Sequence, residues 1–272
     1  MRMVDFEYDG IRLSDKGYGI CNFDGGDDSQ DIGNALSLNN IKAQNRNDYF
    51  LSNAAYEDVF APEFQICKIA CGNDSDFVLS ADDMSFIMRW LNRKKYLKFK
   101  PIYDDESFSD VYYMGTFNVS IIKLAGRIIG LTLQFKTNAP YGFGDDVTAS
   151  AELSSITDKM EIENASDEIG NIYCDVEITC NGAGDLEISN SADPNNVVSV
   201  KNCQKDEVIK MYGSTKIIES SLAGHTKLYN DFNYNYLRIV NSFENRANKF
   251  TSTIPCTIKI TYTPIRKVGF VV

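Results

Sequence analysis

Ile172-Tyr173-Cys174-Asp175-Val176-Glu177-Ile178-Thr179-Cys180 puts an apolar side chain or a thiol at every even position, with Asp175, Glu177 and Thr179 between them. Successive side chains of a strand point to opposite faces, so this spacing predicts a half-buried β-strand with Cys174, Val176, Ile178 and Cys180 on the core side. Residues 181–184, with Asn181, Gly182 and Gly184, supply the turn that ends it. The same period recurs outward in both directions. Phe117, Val119 and Ile121 match Ile129, Leu131, Leu133 and Phe135 across a short link containing Ala125 and Gly126, which predicts a hairpin with one apolar face. Phe232, Tyr234 and Tyr236 form a further alternating run, as do Cys256, Ile258, Ile260 and Tyr262. Many short strands separated by polar turns predict a mainly β chain built as two β-sandwich domains.

A single helix interrupts this pattern. Ser80 and Asp83 have capping-box spacing, Met84, Ile87 and Leu91 recur at helical spacing, and Phe86 lies one turn from Trp90. The helix is placed at 81–92, with Asp82 and Asp83 in its first turn and Arg93, Lys94 and Lys95 after its last, as the helix dipole favours. Residues 39–56 are polar with few alternating positions and read as a long loop or projecting hairpin, a shape that reaches a neighbouring subunit. The run 138–155, with Pro140, Gly142, Gly144, Asp145 and Asp146, changes character. The domain boundary is set there, giving 1–145 and 146–272. Just beyond it, residues 161–167 (EIENASD) are echoed by 187–193 (EISNSAD), which two matched strand ends in one sandwich explain better than a solenoid.

Composition excludes several classes. The chain has 272 residues, 43% hydrophobic and 24% charged, enough to bury a core without metal or disulfide staples. A formal charge of −11 has the wrong sign for gripping phosphates over a broad basic face. The most apolar stretch, 121–133, is broken by Lys123 and Arg127, and Asp5, Glu7 and Asp9 occupy the place of a secretory signal, so neither membrane insertion nor export is expected. Seven Cys are expected as free thiols.

No arrangement of residues points firmly to catalysis. His225 is the single imidazole, no G-x-S-x-G elbow occurs, and the expectation is an exposed loop histidine. Cys67 with Cys71, and Cys174 with Cys180, lack zinc-ligand spacing and share strand faces with Ile69 and with Val176 and Ile178, so core packing is expected of them. The acidic groups Asp24, Asp27 and Asp28, Asp74 and Asp76, and Asp145 and Asp146 do not fit a calcium loop and read as solvated turns. Phosphate-binding glycine loops are absent. No cofactor, metal or enzymatic activity is expected.

The order of features resembles the distal tail proteins of long-tailed bacteriophages. In the first half the likeness rests on Phe6-Glu7-Tyr8-Asp9-Gly10, the helix ending Met88-Arg89-Trp90-Leu91, Tyr96-Leu97-Lys98-Phe99, Tyr112-Tyr113-Met114-Gly115 and Leu133-Gln134-Phe135 before Pro140. In the second half it rests on residues 171–178, 182–190 and 231–234, and on Ile258-Lys259-Ile260-Thr261-Tyr262-Thr263-Pro264-Ile265-Arg266. The resemblance implies a structural protein of the virion tail tip, made in the host cytoplasm. Its N-terminal β-sandwich with one helix would form a homo-hexameric ring, and its C-terminal domain would be a galectin-like or jelly-roll sandwich. The implied partners are further copies of the chain, the tail tube protein, a tail-associated hub protein and a receptor-binding protein. The genome would pass through the lumen without sequence-specific binding, and net negative charge suits such a conduit. Tyr49 and Phe50, in the projecting segment, are the candidate interface anchors. The rival reading is a carbohydrate-binding module for a host-surface glycan, presenting Tyr229, Tyr234 or Tyr236 to a sugar.

Overall fold

In the computed structural model, which describes residues 2–23, 35–69 and 77–268, the alternation of residues 117–135 becomes the longest hairpin of the molecule. Its register pairs Phe117 with Phe135, Val119 with Leu133 and Ile121 with Leu131, and Ala125 and Gly126 both take positive φ at the turn, as a tight hairpin requires. Around it the chain divides into two units with separate cores, one of residues up to Gly144 together with those from Arg266 on, the other Asp145–Ile265.

The first unit contains β1 (Met3–Tyr8), β2 (Ile11–Arg12), β3 (Tyr18–Cys21), β4 (Leu36–Lys42), β5 (Tyr49–Tyr56), β6 (Glu63–Lys68), α1 (Ala81–Leu91), β7 (Leu97–Tyr103), β8 (Tyr113–Leu124), β9 (Arg127–Thr137) and β10 (Gly142–Phe143). One seven-stranded sheet, ordered β2-β1-β7-β8-β9-β6-β3, curls until its halves face each other, so that Phe6 of β1 meets Phe64 of β6 edge-on at 5.7 Å. Phe99, Phe117 and Phe135 fill the space between, with Phe99 4.5 Å and Phe117 4.8 Å from the Phe135 ring. Such pairs contribute about 0.5–1.5 kcal/mol each beyond their buried area. Helix α1 closes one opening. Ser80 Oγ accepts from Asp83 N while Asp83 accepts from Ser80 N, completing the capping box, and the helix ends at Leu91, one residue short of the expected end, with Asn92 as C-cap. Trp90 stacks on Phe6 and donates its indole N–H to Tyr8 O, the core role that the helical spacing implied.

The second unit contains β11 (Val147–Leu153), β12 (Met160–Glu163), β13 (Gly170–Tyr173), β14 (Asp175–Cys180), β15 (Gly184–Asn190), β16 (Asp193–Cys203), β17 (Val208–Tyr212), β18 (Ile217–Ser220), α2 (Leu228–Asp231), β19 (Arg238–Asn241), β20 (Ala247–Ser252) and β21 (Cys256–Tyr262), and the short β22 (Ile265–Arg266) follows. A five-stranded sheet β11-β21-β14-β17-β18 and a four-stranded sheet β12-β20-β15-β16 enclose one core, with β13 and β19 paired beside them. After Ile265 the chain returns to the first unit, where Arg266 Nη1 donates to Asp110 at 3.1 Å and Val268 packs on the first core. A single division at 145/146 therefore misses the last residues.

Two strand expectations are corrected. The run 172–180 is two strands, because β13 pairs with β19 while β14 pairs with β17 and β21. Cys174 sits between them with its side chain inward, so alternation continues through the break and hides the change of partner. Residues 232–236 are not a strand. Phe232 makes one bridge to Val200, Tyr234 adopts φ 61°, and the side chains of Asn233 and Asn235 bond β16 at Val197 O in place of a backbone ladder. The repeated segments, by contrast, lie on the two sides of β20, in β12 and β15. Each ends in the same turn, with Asn164 Oδ1 accepting from Ser166 N and Asn190 Oδ1 from Ala192 N.

Candidate assembly surface

The expected projecting segment is a hairpin of β4 and β5, paired Lys42 with Tyr49, Ile41 with Phe50 and Leu36 with Tyr56, with a bulge between Asn39 and Asn40. These two strands pair with no other strand of the described residues. Tyr49 and Phe50 are consecutive, so they point to opposite faces. They are 63% and 46% exposed, and Leu36, Leu38, Ile41 and Leu51 are exposed around them. A cation lies over each ring, Lys42 Nζ 5.6 Å from Tyr49 and the Arg46 guanidinium 5.2 Å from Phe50. Glu57 N donating to Ala35 O adds a rung at the base of the ladder, and Tyr56 meets Tyr141 edge-on at 6.2 Å. An isolated two-stranded hairpin is marginal in water, and contiguous exposed apolar surface marks an interaction site. This hairpin is an arm with apolar side chains on both faces.

The expectation of an exposed His225 is overturned. Its side chain is 6% exposed, with Nδ1 2.7 Å from Glu207 Oε1 and Nε2 3.2 Å from Asp231 Oδ2. Glu207 is fully buried and also accepts from Ser220 Oγ at 2.6 Å and Gln204 N at 2.8 Å. Burial pushes the imidazole pKa down, but the bonds and charges of Glu207 and Asp231 outweigh it and the net shift is upward. Both ring nitrogens are engaged, so no nitrogen remains to act as base toward a nucleophile. The site ties the α2 turn to the start of β17.

The aromatic candidates separate. Tyr229 and Tyr234 are 61% and 64% exposed and linked by a hydrogen bond from the Tyr234 hydroxyl to Tyr229 O. Tyr236 is 9% exposed, packs edge-on to Phe232 at 5.2 Å and donates its hydroxyl to Lys216 O, so it cannot offer a ring face to a sugar. Phe243 is exposed beside β19, and nothing in the sequence distinguishes it from a core phenylalanine.

Cys174, Cys180, Cys203 and Cys256 are buried free thiols, and burial pushes the Cys174 thiol up to about 12. Cys67 is half-buried beside Cys21, but Ile69 is exposed beyond the end of β6, so the expected shared core face stops at the strand end. Cys71 and the acidic groups at 24–28 and 74–76 lie outside the described residues. No cluster of three metal-ligating side chains occurs among the described residues, and Asp146 accepts from Thr263 Oγ1. Among the described residues no helix is long and apolar enough to cross a membrane.

Comparison with known proteins bears on this geometry. No curated protein sequence matches the chain. Among solved structures, the Dit (gp 19.1) protein of phage SPP1, described as a paradigm of the hub adsorption apparatus in phages infecting Gram-positive hosts, shares the fold with a TM-score of 0.66. Identity is 12%, over 96% of this chain and 99% of that one. The baseplate of phage P2 in its activated conformation with Ca aligns over the full length of both chains at 11% identity and a TM-score of 0.40. The family model for a phage tail protein N-terminal domain matches residues 1–139 and that for a phage tail C-terminal domain matches 141–262, and with the distal-tail-protein fold around them the chain belongs to this family of phage tail proteins.

Proposed function

We propose that this phage tail protein is a non-enzymatic hub of the tail tip. Its first unit self-associates into a hexameric ring, and the ring joins the tail tube to a tail-associated hub protein and to the receptor-binding apparatus. The arm of β4 and β5 carries the reading: a hairpin apolar on both faces that joins no larger sheet among the described residues gains stability when a partner covers it. A closed ring covers every arm identically. The fold shared with the SPP1 hub protein and the family match to phage tail domains support the same reading. Tyr49 and Phe50 are the anchors on the two faces of the arm. Negative-stain imaging tests it: the intact chain forms rings with a central opening, and a chain lacking residues 36–56 gives folded single particles. Rings that persist in the deleted chain contradict the role of the arm.

The exposed pair Tyr229 and Tyr234 favours a second reading for the other unit, recognition of a host-surface glycan through stacked tyrosines. Calorimetry against cell-wall polysaccharide, repeated with Tyr229→Ala and Tyr234→Ala, decides it. Binding lost in both variants supports the reading, and heat that is absent or unchanged excludes it.

A further inference from the structure

Two thiols lie side by side on the outer face of the first sheet. Strand β3 ends that sheet and pairs with β6, Gly19 opposite Cys67 and Cys21 opposite Gln65. Cys21 and Cys67 are therefore diagonal neighbours on one face, away from the face of β6 that buries Phe64 and Ile66. This diagonal is a close one. One step along the ladder, at the same offset, a Cβ placed on Gly19 would lie 3.1 Å from Ile69 Cγ1. Both thiols are free and half-buried, whereas Cys174, Cys180, Cys203 and Cys256 are buried in the second unit. Burial first, and then the neighbouring Cys67, push the Cys21 thiol up to about 12. Residues 22–66, which separate the two thiols in sequence, include the whole arm of β4 and β5.

We propose that Cys21 and Cys67 form an oxidation site for low-molecular-weight disulfides, which convert the pair to a cross-strand disulfide that staples β3 to β6 and closes a covalent loop around the segment carrying the arm. The proposal stands independently of the ring reading. In the first step the Cys67 thiolate attacks one sulfur of the small disulfide, forming a mixed disulfide and releasing one small thiolate. Cys21 is held protonated partly by the charge of Cys67, and that charge disappears once Cys67 is capped. The Cys21 thiolate then attacks Cys67 Sγ, the protein disulfide forms and the second small thiolate leaves. The two protein thiols lose two electrons and two protons, and the small disulfide takes them up as two thiols. A chain made with free thiols in a reducing cytoplasm acquires the staple on entering an oxidising medium. The bridge removes freedom from the unfolded chain and fastens an edge strand to its one neighbour in the sheet.

Peptide mapping of the intact chain tests this, because trypsin cuts after Lys16, Lys42, Arg46, Lys68 and Arg89 and so places Cys21, Cys67 and Cys71 in separate peptides. The chain is incubated with oxidised glutathione, and the remaining thiols are alkylated before digestion. Peptide 17–42 is expected joined to peptide 47–68, with no glutathione kept on either. The thermal midpoint of the first unit, followed by the fluorescence of Trp90, is expected to rise by about 4–16 °C and to return on reduction with dithiothreitol. Cys21→Ser is expected to keep glutathione on Cys67 and to show no rise, and Cys67→Ser to keep none on Cys21. Thiols that stay free in the intact chain, a glutathione adduct that persists there, or a link in which Cys71 replaces either partner overturns the proposal. A Cys21–Cys67 link that leaves the midpoint unchanged overturns its role as a staple.

Discussion

The hairpins β4–β5 and β8–β9 are built from the same kind of ladder and meet opposite fates. In β8–β9 the large side chains fall on one face, and Phe117, Leu131, Leu133 and Phe135 are fully buried against Phe99 and α1. In β4–β5 apolar residues fall on both faces: the bulge at Asn39 and Asn40 puts Ile41 on the face of Leu36, Leu38 and Phe50, while Tyr49 and Leu51 occupy the other. One face can be covered by the chain's own sheet; two cannot. The hairpin with one apolar face is therefore core, and the hairpin with two leaves apolar side chains in water. The tip of β8–β9 also leaves apolar side chains exposed, since Ile121 and Leu124 lie beyond the reach of β7.

The comparison breaks most visibly at Phe117. Phe117→Ala removes a fully buried ring that touches Phe6, Tyr8, Phe64, Phe99 and Phe135, and a loss of about 3–5 kcal/mol is expected in urea unfolding followed by tryptophan fluorescence. His225→Gln removes the partner of the buried Glu207 carboxylate, and where the imidazole is protonated the loss is expected to cost the second unit about 3 kcal/mol. The pH dependence has a definite sign. The folded imidazole pKa lies above its ordinary 6.5, so its contribution is fully present below about pH 6.5 and is lost as pH rises through the folded value. Thermal midpoints of the intact chain fall over that window, and those of the variant do not.

Ser80→Ala is expected to cost about 1 kcal/mol by removing the N-cap. Asp83 gives the opposite pH sign from His225. Burial raises its pKa, but bonds from Ser80, Tyr18 and Lys68 hold it at about 2, so its contribution is present above pH 3.8 and fades as pH falls toward 2. Acid unfolding of Asp83→Asn is expected to begin from lower stability and to change less below pH 4. The smallest effect on the monomer belongs to the arm: Phe50→Ser changes the unfolding free energy by less than about 0.5 kcal/mol while weakening assembly in sedimentation. A large loss of monomer stability in that variant would show that the arm packs on its own unit.

Much of this architecture is legible in the sequence wherever burial is one-sided. Residues 117–135 and 256–262 alternate because one face is core, and Ser80 with Asp83 announces the helix through its own capping bonds. Alternation says which face is buried and is silent about the partner strand, so the change of partner at Cys174 leaves no trace. It misleads at 232–236, where Asn233 and Asn235 satisfy the neighbouring backbone with side chains. The charge of His225 depends on Glu207 eighteen residues away and on the fold that buries both. For the arm, sequence marks a projecting segment with Tyr49 and Phe50. That the β7 ladder stops opposite Gly115, leaving Val119 and Ile121 without a second strand among the described residues, has no sequence signal.

The central claim is that apolar surface on the arm is buried between copies. The mass of the intact chain in native mass spectrometry, across a range of concentrations, tests it most directly. The account predicts a dominant species of six 30.5-kDa chains, about 183 kDa, that collapses to 30.5 kDa when residues 36–56 are removed. A 30.5-kDa species from the intact chain throughout that range would contradict it.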